Sequence, residues 1–377
     1  MARFRLMRLL WTLLLVIAPT AAQSSAQPST KEADAGKTLV DYFLPMPIVG
    51  KLSKDVWGAP GVLPRDPQNG LEDPTIQKWD YWDGQIVKSP DGKYHLFASR
   101  WDHSTGHKGW TSSVAVHAVS DNVIGPYEDK GMLWPDNMGG KGHNVTALIM
   151  PDGRYAVTVS EIRPGEVFAC KTPDGPWESL GKITVKGQPR WHASNVTPML
   201  RPDGRYMIVQ RSGQIMLANE IVGPYSVQGP PIYKDIKELP QEHLEDPAVW
   251  YSGGLYHIVV NSWKMRKAFH LTSEDGLTNW KFRGLAYDPT TDFIRYADGT
   301  VNHWEKIERP AVFIENGHVT HFTFAVIDIP KEENKGNDRH GSKVIVVPFD
   351  GAAMDRDLSG IVKQEKSAAQ AAGGSHD

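Results

Sequence analysis

The sequence predicts an all-β fold, a five-bladed β-propeller with about four antiparallel strands per blade, and three observations predict it. The first is a segment that recurs five times, made of a polar leading residue, a strand, a Gly-rich turn and a second strand. The copies read DGQIVKSPDGKYHLF from Asp83, NVTALIMPDGRYAVTV from Asn144, NVTPMLRPDGRYMIVQ from Asn195, DPAVWYSGGLYHIVV from Asp246 and RPAVFIENGHVTHFTF from Arg309. The second is their spacing of 61, 51, 51 and 63 positions, which is the period of a propeller blade and too long for a solenoid turn. The third is a second turn signature beyond most hairpins: SDNVIGPYEDKG at Ser120, KTPDGPWESLG at Lys171, ANEIVGPYSVQG at Ala218 and SEDGLTNWKFRG at Ser273. A Gly-Pro or Gly/Asn turn before an aromatic residue ends one strand and opens the edge strand of a blade. The fifth copy lacks that signature and ends in KVIVVPFDG, so its outer strand is expected from the segment near Val40 to Val49, which would close the ring.

Composition agrees with this architecture. The 377 residues are 40% hydrophobic and include 35 Gly, 13 Trp and 12 Tyr, enough for a large core and many turns. A net charge of −3 without a basic run argues against nucleic acid as the main partner, while local Arg and Lys leave acidic polysaccharides open. Nothing in the chain resembles a coiled coil or a nucleotide-binding loop.

The N-terminus, MARFRLMRLLWTLLLVIAPTAAQSSAQ, has a basic start, an apolar stretch from Leu9 to Ala18 and small residues suited to cleavage after Ala22 or Ala26. That stretch is short for a bilayer span, so residues 1–26 read as a secretory signal peptide in preference to an uncleaved anchor. The expected localisation is secreted or periplasmic, of bacterial type, with no stable membrane insertion after cleavage. Residues 27–38 read as a disordered linker, 39–354 as the propeller and 355–377 as a disordered tail. Cys170, the single cysteine, lies in the apolar run EVFACK and reads as an inert core residue.

In a propeller the innermost strands ring a central axis, and their starting ends project into one funnel. The residues that lead the repeats, Asp83, Asn144, Asn195, Asp246 and the Glu308–Arg309 pair, are therefore expected to be neighbours. Three of these positions carry a carboxylate, and facing carboxylates repel one another unless a function holds them there. A purely structural axis lined by hydrated polar groups is the competing reading.

Asp83 at the first inner strand, Asp-Pro at Asp246–Pro247 and Glu-x-Pro at Glu308–Arg309–Pro310 resemble glycoside hydrolase family 43 and its five-bladed relatives, over roughly Asp73 to Gly351. The resemblance implies a glycosidase with Asp83 as general base, Asp246 as the residue that tunes and orients the acid, and Glu308 as general acid. This chain departs from the family in carrying one more blade between the first two of these residues. Inverting hydrolysis needs a protonated and an ionised carboxyl about 6.5–9.5 Å apart, whereas a retaining reaction needs them about 5–5.5 Å apart. Glu308 lies among aromatic and apolar residues, where desolvation would keep it protonated.

Trp82 beside Asp83 is a stacking surface for a sugar ring or an inter-blade packing residue. His143, His192, His243 and His303 precede the leading residues. They have no close ligand spacing, so His143 and His192 are read as hydrogen-bonding groups for sugar hydroxyls and no metal site is assigned. No cofactor is expected, although a single ion held on the axis through water is compatible with the architecture. Asn144, Asn195, Glu161 and Arg309 complete the expected substrate-binding set. Glu245 is expected to point to the opposite face from Asp246 and to bind a neighbouring Arg or the substrate. Asp73 and Glu305 are the alternative base and acid. The loop KEENKGNDRHGSK from Lys331 reads as a solvated surface loop whose Arg339 and His340 would reach over the funnel to an anionic sugar. The expected partner is an oligo- or polysaccharide, cleaved with inversion. The alternatives are a retaining fructan hydrolase, a polysaccharide lyase and a non-catalytic sugar-binding propeller.

Overall fold

The computed structural model describes residues 36–50, 66–75, 77–336 and 340–373, and it is a five-bladed β-propeller. The signal peptide and Arg339 lie outside the described residues. The first blade is β1 (Trp79–Lys88), β2 (Tyr94–Asp102), β3 (Val114–Ser120) and β4 (Glu128–Met132). The second is β5 (His143–Ile149), β6 (Tyr155–Glu161), β7 (Glu166–Cys170) and β8 (Glu178–Lys182). The third is β9 (Thr197–Leu200), β10 (Tyr206–Val209), β11 (Ile215–Ala218) and β12 (Ser226–Val227). The fourth is β13 (Leu244–Ser252), β14 (Leu255–Ser262), β15 (Lys267–Ser273) and β16 (Lys281–Tyr287). Each of these sheets is an antiparallel meander of consecutive strands. The fifth blade has three strands, β17 (Lys306–Glu315), β18 (His318–Ile327) and β19 (Ser342–Pro348).

The Pro-Asp-Gly turns that reveal the repeat share one construction. Asp91, Asp152 and Asp203 each accept a hydrogen bond from the backbone N–H two residues on, and Gly92, Gly153 and Gly204 follow with φ of 89°, 84° and 81°. That left-handed backbone is open to glycine without strain, and the Asp side chain closes the turn.

Apolar side chains fill each gap between neighbouring blades. Phe97, Val145 and Val157 lie between the first and second blades; Val167, Ile208 and Tyr225 between the second and third. Met207, Val249 and Ile258 lie between the third and fourth, Trp250, Phe322 and Phe324 between the fourth and fifth, and Leu96, Val116 and Val344 between the fifth and first. Cys170 is buried, as the sequence suggested.

Two short segments cover the outer edge of β19 where a fourth strand would run. Phe43 bridges Phe349 and Leu44 N–H donates to Pro348 O at 2.9 Å, inside the expected segment. Leu71 exchanges two hydrogen bonds of 3.0 Å with Val344, a contact the sequence did not suggest. Between them they pair much of an edge that would otherwise be open.

The C-terminal segment departs from the disordered tail expected over 355–377, because α1 (Gly351–Gly373) is a helix. Met354 and Leu358 are buried, and Ile361 and Val362 pack against the same core as Phe322. Their spacing of four and then three or four residues makes one apolar stripe. Asp355 accepts from Ser252 Oγ at 2.9 Å, and Arg283 pairs with Glu365 at 2.6 Å, which fastens the polar edges of the helix. A small, Ala-rich composition hid this stripe. No helix among the described residues is long and apolar enough to cross a membrane.

Candidate active site

The five leading residues meet on the axis. All have left-handed backbone: Asp83 at φ 66°, Asn144 at 53°, Asn195 at 45°, Asp246 at 50° and Arg309 at 52°. The strand register breaks beside them, between Trp82 and Gln85, Glu245 and Ala248, and Glu308 and Ala311. Asp83, Asp246 and Arg309 are thus bulge residues, and four of the five leading residues are Asp or Asn, whose short polar side chains tolerate this backbone.

Their side chains close a hydrogen-bonded ring. Arg309 donates through Nε to Asp83 Oδ1 at 2.9 Å and through Nη1 to Asp246 Oδ1 at 3.1 Å. Asn195 Nδ2 donates to the same Asp246 oxygen at 2.6 Å, and Asn144 Nδ2 donates to Asn195 Oδ1 at 2.9 Å. Val145 N–H, next to Asn144, returns to Asp83 Oδ2 at 3.0 Å, and Ser99 Oγ also donates there. Burial pushes the Asp246 carboxyl up, and the Arg309 charge opposes that shift. The two Asp charges hold the Arg309 guanidinium up against a burial that would lower it.

Above the ring opens a cavity of about 600 Å³, within the range of ligand sites. Trp82, His143, Asn144, Glu161, Asn195, Glu245, Asp246, Glu308 and Arg309 line it, which brings together nine of the residues singled out from the sequence. Asp83 does not line it. It is 1% exposed, lies beneath Arg309, and faces a separate axial cavity of about 20 Å³, room for about one water.

Glu245 corrects the expectation that it points away from Asp246. The bulge at Asp246 interrupts the alternation of the strand, so both side chains face the funnel. Glu245 pairs with Arg211 at 2.8 Å, as a neighbouring Arg was expected to do. One carboxylate oxygen from each of Glu245, Asp246 and Glu308 lies within 4.8 Å of the others. Burial, followed by the charges of Asp246 and Glu308, pushes the Glu245 carboxyl up to about 8, with Arg211 opposing. Glu308 has Lys331 on Oε2 and Lys306 Nζ 3.6 Å from Oε1. Its surroundings are therefore not the apolar ones its sequence neighbours suggested. Oε1 is buried and makes no hydrogen bond.

Trp82 is 3% exposed and Lys331 Nζ sits 4.7 Å over its ring, so it packs inside the wall and its face is covered. Trp110, half-buried on the same wall, is the aromatic face that remains. Burial pushes His143 down to about 4, and it also lowers His107, so both imidazoles are neutral near pH 7 and suited to hydroxyl groups. Glu161, the strand partner of His143, accepts from Ser194 Oγ at 2.8 Å.

Other candidates fall elsewhere. His192 and His243 are exposed and do not line the cavity, and His303 turns to Asp292 at 2.8 Å. Glu305 pairs with Arg266 at 2.9 Å, and Asp73 closes its own loop by accepting from Thr75, Lys78 and Trp79 N–H groups. His340 binds Asp328 at 2.8 Å. The loop that begins at Lys331 supplies Lys331, Glu332 and Lys335 to the funnel, so its first turn belongs to the site. Reasoning from strand repeats also missed His107, Lys108, Trp110, Ser194 and Arg211, which come from connections between strands.

Two groups among the described residues have the spacing of metal ligands. The Glu245–Asp246–Glu308 trio already faces Arg211, Arg309 and Lys331, whose positive charges oppose a cation. In the other group, His95 Nδ1 and His117 Nε2 are 2.8 Å apart beside Asp174. His257 and His270 repeat that pairing at 3.0 Å in the fourth blade, which marks it as part of the repeat. We assign neither group to a metal.

No family model matches the chain, and no curated protein matches it in sequence. Solved structures do match in three dimensions. A family 117 glycoside hydrolase produced by the marine bacterium Zobellia galactanivorans aligns with a TM-score of 0.54 at 13% identity, over 75% of this chain and 88% of that one. Another glycoside hydrolase aligns at 0.53 and 15% identity, over 75% of this chain and 61% of that one. An exo-β-1,3-galactanase from Clostridium thermocellum aligns at 0.50 and 14% identity, over 75% and 62%. Family 43 glycoside hydrolases also match, with TM-scores of 0.47 and 0.49. The chain thus has the five-bladed propeller found in solved glycoside hydrolases.

Proposed function

We propose that this chain is a glycoside hydrolase that cleaves an oligo- or polysaccharide in the funnel. The observation that carries this reading is the meeting of Glu245, Asp246 and Glu308 within 4.8 Å on the wall of a cavity of about 600 Å³. Hydrolysis of a glycosidic bond needs one carboxyl that gives a proton and one ionised carboxylate, and a group of crowded acids supplies both states. Neutral His143 and His107 and the Ser194 hydroxyl are suited to sugar hydroxyls, and Trp110 to a ring face. The propeller shared with known glycoside hydrolases supports the reading at the level of fold.

The family resemblance casts Asp83 as base and Glu308 as acid, with Asp246 tuning the acid. Glu308 reaches the cavity as it stands, whereas Asp83 reaches it only if Arg309 moves aside. That closure favours a second reading, a sugar-binding propeller without catalysis. The N-terminal sequence supports export, which places the substrate among glycans outside the cytoplasm; fractionation of producing cells tests this.

The test is incubation of the purified chain with arabinan, xylan, galactan and agar. Reducing ends and unsaturated sugars are followed separately, with Asp83→Asn run in parallel. New reducing ends without unsaturation support hydrolysis, and unsaturation points to a lyase. Binding without cleavage supports the second reading. If Asp83→Asn keeps full activity while folded, Asp83 is an anchor for Arg309 and not the base.

A further inference from the structure

Resting on the glycosidase reading, we propose that the funnel takes a glycan with an anionic substituent, a carboxylate or a sulfate ester, and that Lys108 and Lys335 hold this substituent at the rim. Three observations support this. The first is the distribution of charge. Inside the funnel each cation already faces an acid: Arg211 pairs with Glu245, Arg309 with Asp83 and Asp246, and Lys331 with Glu308. Lys108 and Lys335 also line the cavity, both are exposed, and neither pairs with a carboxylate among the described residues. Lys335 Nζ donates only to the backbone oxygen of Glu332. The second is placement. Gly106 at φ 60° and Gly336 at φ 76° let a loop of the first blade lie backbone to backbone against a loop of the fifth. A Cβ on Gly106 would stand 2.7 Å from Lys335 C, and one on Gly336 2.5 Å from His103 O, so glycine alone fits there. Lys335 therefore abuts Gly106, and Lys108 lies two residues further along, at most about 7 Å of extended backbone away. The third is the company of the two lysines. Trp110 offers a ring face on this wall, and His107 carries no charge near pH 7, because burial and then the charge of Lys331 lower it. The unpaired positive charge of the wall thus belongs to Lys108 and Lys335, with the exposed Glu332 opposing them from the same loop.

A carboxylate or sulfate has oxygens enough to accept from two ammonium groups at once, and such charge-assisted bonds are stronger than those between neutral groups. With the substituent held at the rim, a sugar ring can lie on Trp110 while its glycosidic bond reaches toward the carboxylates below. His340, the residue of this loop expected to meet an anionic sugar, is bound to Asp328 instead, so Lys335 takes that place. Both lysines are exposed, so their attraction is screened over about 8 Å at physiological ionic strength and weakens as salt rises.

The test is a panel of polygalacturonate, alginate, carrageenan and ulvan, each run beside its carboxyl-reduced or desulfated form, with reducing ends followed at low and at high salt. In at least one pair the anionic form should be cleaved with the higher kcat/KM, and its advantage should shrink as salt rises. The uronate and sulfate arms tell the two sources of the anion apart. Lys108→Met and Lys335→Met should each raise KM for that glycan about 3- to 10-fold, more than they lower kcat, and Lys108→Arg and Lys335→Arg should keep most of the affinity. Glu332→Gln, which removes the opposing charge, should lower KM. Cleavage of the neutral form at least as well as the anionic one in every pair, or of neutral glycans alone, overturns this proposal and leaves the glycosidase reading standing. So does an unchanged KM in a folded Lys108→Met, Lys335→Met double variant. A loss that falls on kcat alone, or that Arg does not restore, assigns the two lysines to structure and also overturns it. A wild type that cleaves nothing, in this panel or in the neutral one, removes the glycosidase reading and this proposal with it.

Discussion

Replacing Arg309 by Met tests whether the ring of leading residues holds the propeller together. Arg309 is the cation between Asp83 and Asp246, at 2.9 and 3.1 Å, with side-chain exposures of 6%, 1% and 4%. Solvent screening is slight at such burial, so the discount that applies to surface pairs does not apply here. Removing one partner of a buried ion pair leaves a charge uncompensated, at about 3–5 kcal/mol. Here one substitution strands two carboxylates, so a loss toward the upper end is expected. Arg309→Lys should fall between, because a point charge does not bridge two carboxylates as a guanidinium does. Adding Asp83→Asn and Asp246→Asn to Arg309→Met should recover part of the loss. The assay is urea unfolding at pH 7, repeated near pH 4. Burial already pushes the Asp246 carboxyl up and Arg309 opposes that, so without Arg309 its folded-state pKa rises further above its unfolded value, and its stability contribution is present at low pH and lost as pH rises. The deficit should therefore shrink toward pH 4. A deficit below about 1 kcal/mol at pH 7, or one that does not depend on pH, would refute the reasoning.

Three further outcomes are expected. The Glu245 carboxyl, pushed up to about 8 from an ordinary value of 4.5, makes the folded state bind more protons than the unfolded state, so wild-type stability should fall as pH rises through that window. Glu245→Gln should flatten this fall in unfolding curves taken from pH 5 to 9, and an unchanged slope would assign it to another group. Leu358→Ala removes a side chain that is 6% exposed under α1 and should cost about 2 kcal/mol or more by urea unfolding, with faster amide exchange along the helix. Unchanged exchange would mean that α1 does not depend on this contact. Burial pushes the Cys170 thiol up to about 12, so it should resist a thiol reagent at pH 8 until the protein unfolds; rapid labelling of the native protein would contradict its burial.

The blades were legible because each hairpin turns on a glycine, in Pro-Asp-Gly in three of the five, at a period that admits one architecture. The leading residues were legible as a set, since the same position in each repeat falls at the same radius of the propeller. Their left-handed backbone was also written in the sequence, in Asp-Gly, Asn and Asp-Pro at four of the five positions, and the strands were taken as unbroken there. That omission is why Glu245 was turned the wrong way and why Asp83 was expected to reach the funnel. Arg309 is also a bulge residue and a long cation, and nothing in its local sequence says that it bridges Asp83 and Asp246 on the two neighbouring blades. Lys331, Arg211 and Trp110 were illegible for a different reason. They arrive from loops between strands, whose course depends on packing that no periodicity records. The same holds for α1, where a tail-like composition outweighed the spacing of Met354, Leu358 and Ile361.

The central claim is that the funnel carboxylates cleave a glycosidic bond, and Glu308→Gln tests it most directly. The measurement is kcat/KM of this variant against wild type at pH 7 on the best glycan substrate, with folding checked by circular dichroism. A loss of about 10³-fold or more is expected for removing a carboxylate that acts in the transition state. A folded Glu308→Gln that cleaves the same glycan at the wild-type rate would contradict the account.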